Sequence, residues 1–287
     1  MTAAPAAAAV LDKPGHAVRA AGADLRDAVH AEWTKLRTLA STCWLLLGGA
    51  AVTIAVGAAA AAAFRCQPGA CTLAQTGADP ARISLTGIDV GQAVVAVLAV
   101  LAVGGEYSTG MIRVTLTAMP RRLTVLGAKA AVLAGCVLAA GVVAVLGSVL
   151  AGRLILPGHG MTVANGYQLL SLANGSDLRA AVGAVAYLAL VALFALGLAT
   201  AIRESAIAIG AVLALLYLFP LASALIGDQV WSRRLDQIGP LSAGLDAWTT
   251  VNVKSLPLTP WQGLGVVALW AAGALLLGAM VLRLRDA

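Results

Sequence analysis

Charge is what this sequence has least of. Asp, Glu, Lys and Arg make up 11% of its 287 residues, where soluble domains carry about 25%. A soluble helical core needs charges that recur along an exposed face of each helix, yet the stretch 180–202 contains none. This argues against a soluble globular chain. Histidine is also scarce: His16, His30 and His159 are scattered outside the apolar stretches and read as surface residues rather than a ligand set. The lack of a metal cluster and of a nucleophile beside a base argues against an intramembrane protease or transferase, and no catalytic or metal-binding residue is assigned. Ser and Thr near the ends of apolar stretches read as partners of backbone carbonyls. The middles of those stretches lack acids and histidines, which argues against an ion-driven carrier; Asp89 lies near the outer end of one of them. A G-x-x-x-x-G-K-[ST] phosphate loop is absent as well, so ATP is not expected to bind here in the usual way.

What the sequence has in abundance is apolar length. Hydrophobic residues make up 60% of it, and six stretches reach the roughly 20 residues that a membrane span needs: 43–64, 86–105, 130–152, 180–202, 205–227 and 262–282. Helices apolar on every side suit lipid, because a helix satisfies its own backbone groups. Small residues at steps of four, such as Ala131, Gly135 and Ala139, allow close helix packing. The expected fold is all-α: a polytopic six-span bundle over 43–287, preceded by a loose tail at 1–17 and an amphipathic helix at 18–42. The opening residues lack the basic region of a signal peptide.

Basic residues orient the bundle. With the N terminus inside, cytoplasmic segments hold Lys13, Arg19, Arg26, Lys35, Arg37, Arg113, Arg121, Arg122, Lys129, Arg203, Arg283 and Arg285, the majority of the 19 Lys and Arg. The positive-inside rule then predicts two cytoplasmic termini. Anionic inner-leaflet lipids account for the net charge of +6 without nucleic acid. Cys43 and Cys136 fall in spans, whereas Cys66 and Cys71 flank "QPGA" in a loop placed outside. An oxidising exterior predicts a disulfide between them; two idle thiols are the alternative, since so small a ring strains the bond.

Three polar segments stand out. In the first, Leu25, Val29, Trp33, Leu36 and Ala40 form one apolar stripe, with Arg19, Arg26, His30 and Arg37 beside it. This pattern describes a helix lying in the membrane interface. Glu32 falls inside the stripe near Lys35, either meeting protein there or snorkelling to the surface. In the second, between 228 and 261, Trp231, Leu235, Ile238, Leu241, Leu245 and Trp248 are spaced like short amphipathic helices broken at Gly239 and Pro240. Pro220 is expected to kink or end the fifth span just before it.

The third segment is "GGEYSTGMIRVTLTAMPRR" at 104–122. Taken as a helix over 106–118, it puts Tyr107, Met111, Val114 and Ala118 on one side and Glu106, Thr109, Arg113 and Thr117 on the other. Pro120 stops that helix and Arg121 and Arg122 mark the turn. Its use is either to anchor the loop to lipid headgroups or to receive a soluble partner that moves the attached spans.

"HAEWTKLRT" at 30–38, "GEYSTGMIRVTLTAMPRR" at 105–122 and Lys129 together resemble the permease subunits of type-2 ATP-binding-cassette exporters. The likeness in architecture extends over the whole chain, and in motif over mainly the first half. It implies a cytoplasmic interfacial helix carrying Glu32, Trp33, Lys35, Leu36 and Arg37 before the first span. It also implies an ATPase-coupling helix in which Glu106, Tyr107, Gly110, Arg113, Pro120 and Arg121 match the family pattern, followed by Arg122. Met111 departs from that pattern, standing where a small polar residue is commoner. A separate ATPase subunit carrying ATP and Mg, a second permease (the same chain or a similar one), membrane lipids and a bacterial inner membrane are the implied partners and setting. The implied function is ATP-driven export of an amphipathic or hydrophobic small molecule, drug, peptide or lipid. The alternative from the residues is a non-transporting multi-span anchor or sensor-associated subunit.

Overall fold

The structure, a computed structural model, describes residues 14–38, 40–65, 71–111 and 122–284. Every regular element among them is helical. In chain order these are α1 (Pro14–Thr38), α2 (Ala40–Ala63), α3 (Leu73–Thr76), α4 (Pro80–Leu85), α5 (Ile88–Ser108), α6 (Arg122–Ile155), α7 (Gly175–Ile202), α8 (Ser205–Leu225), α9 (Gln229–Ile238), α10 (Pro240–Leu245) and α11 (Pro260–Leu284). Six helical segments are long and apolar enough to cross a membrane: α2, Pro80–Tyr107, Arg122–His159, α7, α8 and α11. The chain is thus a multi-pass membrane protein.

These spans sit where the hydropathy of the sequence puts them, with informative differences at their ends. The third begins at Arg122, eight residues before the predicted 130, and so takes Lys129 into its buried face. A lysine ends an apolar stretch on paper; here two carboxylates neutralise it. The second begins at Pro80, where Asp79 caps α4 by accepting from Ala81 N at 3.0 Å and Arg82 N at 3.2 Å. Proline at the first helical position forfeits nothing, because that N–H has no helical partner in any case. Pro220 does not end the fifth span: α8 runs through it to Leu225, leaving the Leu216 carbonyl without its usual donor.

The hub of the bundle is α7. Two thirds of its apolar window is buried inside the protein, against 17% for α8, and it packs on α5, α6, α8 and, most extensively, α11. Glycine makes this last contact possible. A Cβ on Gly197 would come within 2.4 Å of the Ala274 backbone, and one on Gly278 within 2.7 Å of the Gly197 carbonyl. Close backbone approach replaces the hydrophobic effect as the source of helix association in lipid.

At the end of the bundle remote from α1 and from the close of α11, the connections are built into the core. Trp248 is fully buried with its ring edge-on to Tyr187, centroids 5.2 Å apart. Asp79 accepts from the Thr250 and Val251 amides and the Thr250 hydroxyl, while Arg179 donates to the Ala247 and Thr249 carbonyls. The expected short helices appear there as α9 and α10, broken between Ile238 and Pro240. Cys71 is disulfide-bonded and Cys43 and Cys136 are free; Cys66 lies outside the described residues.

Candidate functional site

The densest polar chemistry gathers at the opposite end of the bundle, where α1 meets the C-terminal tip of α5 and the start of α6. Glu32, Glu106 and Lys129 are all buried, at 3%, 5% and 6% exposure, deep enough that none could persist as an isolated charge. They persist because they alternate. Lys129 Nζ donates to Glu32 Oε2 at 2.7 Å and Glu106 Oε1 at 2.9 Å, and Lys35 Nζ donates to Glu32 Oε1 at 2.9 Å and Glu106 Oε1 at 3.0 Å. Lys129 spends its third proton on the Ala102 carbonyl at 3.3 Å. Two acids and two bases thus close a neutral ring across three helices.

The electrostatics of the α1 members follow from this geometry. Burial pushes the Glu32 carboxyl up, but the charge and hydrogen bond of Lys129, followed by those of Lys35, outweigh it and leave the group below its ordinary value. Burial pulls the Lys35 ammonium down, and its hydrogen bonds to Glu32 and Glu106 more than reverse the shift. Both groups are therefore held in their charged forms.

A second junction starts one residue later. Tyr107 lies under the guanidinium of Arg203, 5.7 Å from ring centroid to Cζ, and Arg203 also donates to the Val281 carbonyl near the end of α11 at 3.2 Å. Arg203 occupies the tight turn between α7 and α8 with a left-handed φ of 64°, and Glu204 beside it caps α8 through Ala206 N and Ile207 N. Arg122 at the start of α6 donates to the Leu282 carbonyl at 2.8 Å. Adjacent residues on the α5 tip therefore engage the rest of the bundle in two directions: Glu106 toward α1 and α6, Tyr107 toward the α7–α8 turn and α11.

The sequence-derived site residues divide accordingly. Glu32, Lys35, Glu106 and Lys129 come together, and Leu36 is buried beside them on the face of α1 that carries Ala28 and Glu32. Arg37 and Trp33 are exposed, Trp33 by 48%. The apolar stripe of α1 therefore splits, Leu36 turning to protein while Leu25 and Trp33 remain open. The ring settles where Glu32 points: it meets protein. The helix expected over 106–118 is not continuous, because α5 ends at Ser108 and Gly110 takes a left-handed φ of 69°, a conformation glycine adopts without the Cβ clash of other residues. Glu106 and Tyr107 thus belong to the tip of the second span. Arg113, Pro120 and Arg121 lie outside the described residues.

Sequence reasoning missed the partnership of Lys129 with Glu32 and that of Tyr107 with Arg203. The first had a signal: each is a charge set in an apolar pattern, and opposite charges so placed need one another. The second had none, since nothing local pairs residues so far apart in the chain. No group of three or more His, Cys, Asp or Glu able to hold a metal occurs among the described residues. No family model and no curated protein matches this chain.

Proposed function

We propose that this chain is the membrane-embedded permease subunit of an ATP-driven, type-2 ATP-binding-cassette exporter, and that 105–122 couples it to a separate ATPase. The observation that carries the proposal is the double anchorage of the α5 tip. A soluble partner pushing on the segment after Tyr107 would displace Glu106 and Tyr107 together. The ring would pass that displacement to α1 and α6, and the Arg203 junction would pass it to α7, α8 and α11. A loop that merely anchors to headgroups has no need of a four-charge junction with three buried members, which costs desolvation energy and is retained where it defines one arrangement.

In this account both termini, the ring and the coupling segment face the cytoplasm of a bacterial inner membrane, and α1 lies in the membrane interface with Leu25 and Trp33 toward lipid. ATP and Mg bind the partner ATPase. Two permease chains, the same or similar, enclose the path, because six helices are few to enclose one. The cargo is amphipathic or hydrophobic, matching walls of Gly, Ala, Val and Leu.

Reconstitution with the ATPase encoded beside this chain, in proteoliposomes, tests the proposal. Stimulation of ATP hydrolysis by cargo, with ATP-dependent movement of that cargo, is expected. An ATPase that binds but whose hydrolysis no amphipathic cargo alters would favour the non-transporting anchor.

A further inference from the structure

One partly buried acid takes no part in the junctions above. Asp89 sits on the second span, 17 residues from Glu106, or about 26 Å along a helix at 1.5 Å per residue. The hydrocarbon core is about 30 Å thick, so Asp89 lies at its other margin. Its Oδ1 is buried and has no hydrogen-bond partner. Nor does it cap a helix: the amides of Asp89, Val90 and Gly91 already donate to the Thr86 and Gly87 carbonyls. Among the described residues no Lys, Arg or His lies within ion-pair distance of Asp89; Arg82, on the neighbouring helix, is exposed and acts on the acid through its charge without contacting it.

The surroundings of Asp89 are rich in acceptors and already supplied with structure. Tyr217 of α8 and Gln92 both donate to its backbone carbonyl, Gln92 also donates to the Tyr217 hydroxyl at 3.2 Å, and Tyr187 donates to Gln92 Oε1. The network consumes the donors of Gln92, Tyr187 and Tyr217 on one another and on the main chain, and gives none to the carboxylate. Tyr217 is half-buried and brings an aromatic ring beside the acid at the seam of α5 and α8. One turn further along α8, Pro220 withholds an N–H from the Leu216 carbonyl.

We propose that Asp89 is the charge-recognition point for a lipophilic organic cation, whose ammonium or phosphonium centre pairs with the carboxylate while its apolar body lies along the seam of α5 and α8 against Tyr217. An anion is repelled at this point. A small hydrated metal ion would lose its water for a single carboxylate, whereas a lipophilic cation is weakly hydrated, brings its own apolar surface, and gains attraction from the aromatic face. Identifying this contact as a cargo contact rests on the exporter reading; the binding itself does not.

The test is equilibrium binding of tetraphenylphosphonium to the purified full chain in detergent, without any ATPase, followed by quenching of tryptophan fluorescence. Tetraphenylborate, of the same shape and opposite charge, is the competitor. Saturable binding of the cation, weakened at least tenfold by Asp89→Asn, unchanged in Asp228→Asn and not displaced by tetraphenylborate, is the expected result. Tyr217→Phe, which keeps the ring and leaves the carboxylate intact, retains binding within a few fold. Equal affinity of the native chain and Asp89→Asn, non-saturable uptake of the cation, or equal competition by tetraphenylborate would each overturn the inference. Because no ATPase is present, that failure would leave the exporter reading standing with a different cargo.

Discussion

Lys129 is the single residue on which the junction at the α5 tip depends most. Removing one member of a buried ion pair costs about 3–5 kcal/mol, since the partners stay buried and uncompensated; Lys129 has two partners, so Lys129→Met is expected at the upper end of that range. Pairing Lys129→Met with Glu32→Gln should restore part of the loss, and thermal unfolding of the four proteins of this double-mutant cycle reads the coupling directly. The ring also sets a pH dependence. Glu32 is depressed below its ordinary 4.5, so its contribution is complete above that pH and disappears as pH falls through the depressed value of the folded state. Asp246 has the opposite sign. Burial lifts it to about 6, Arg82 opposing and Asp236 adding to the shift. The folded chain therefore binds this proton more tightly than the unfolded one, and stability is lost as pH rises from about 4 through 6. Asp246→Asn should raise the unfolding temperature at pH 7.5 and leave it nearly unchanged at pH 4; an equal effect at both pH values would refute the assignment.

Among the elements, α7 illustrates why apolar composition alone reveals a span and not its neighbours. Its sequence is apolar on all sides, so hydropathy announces a membrane helix and says nothing about which face meets α11. That information resides in Gly197 and Gly278, which become meaningful only once the two backbones are placed together. Gly197→Leu should separate α7 from α11 and abolish the folded monomer in mild detergent, whereas Gly273→Leu, where a Cβ meets nothing within 4 Å, should leave the elution volume unchanged. For α1 the helix was legible from its stripe, but its rotation was not. A stripe tells that one side is apolar, and only the Glu32 anomaly within it hinted that protein as well as lipid would claim that side. At the α5 tip the polar composition singled out Glu106 and Tyr107, but not the partners that hold them, and the left-handed Gly110 breaks the regularity that periodicity carried through it.

At the scale of the whole molecule, the two ends of the bundle are organised differently. The far end is closed by hydrogen bonds from Asp79 and Arg179 and by buried Trp248. The end where α1 meets the bundle concentrates charge in a ring and in the Arg203 and Arg122 contacts, which link the third, fourth, fifth and sixth spans to one another and to the tip of the second. Our central claim is that this convergence receives an ATPase. The most direct test is tagged purification in mild detergent, from cells that co-express the chain with its native neighbours, of the native chain and of a variant with Arg113→Ala and Arg121→Ala, which leaves the ring untouched. The account predicts that an ATPase co-purifies with the native chain and is lost from the variant while the unfolding temperature of the membrane protein is unchanged. An ATPase retained by the variant, or absent from the folded native chain, would contradict it.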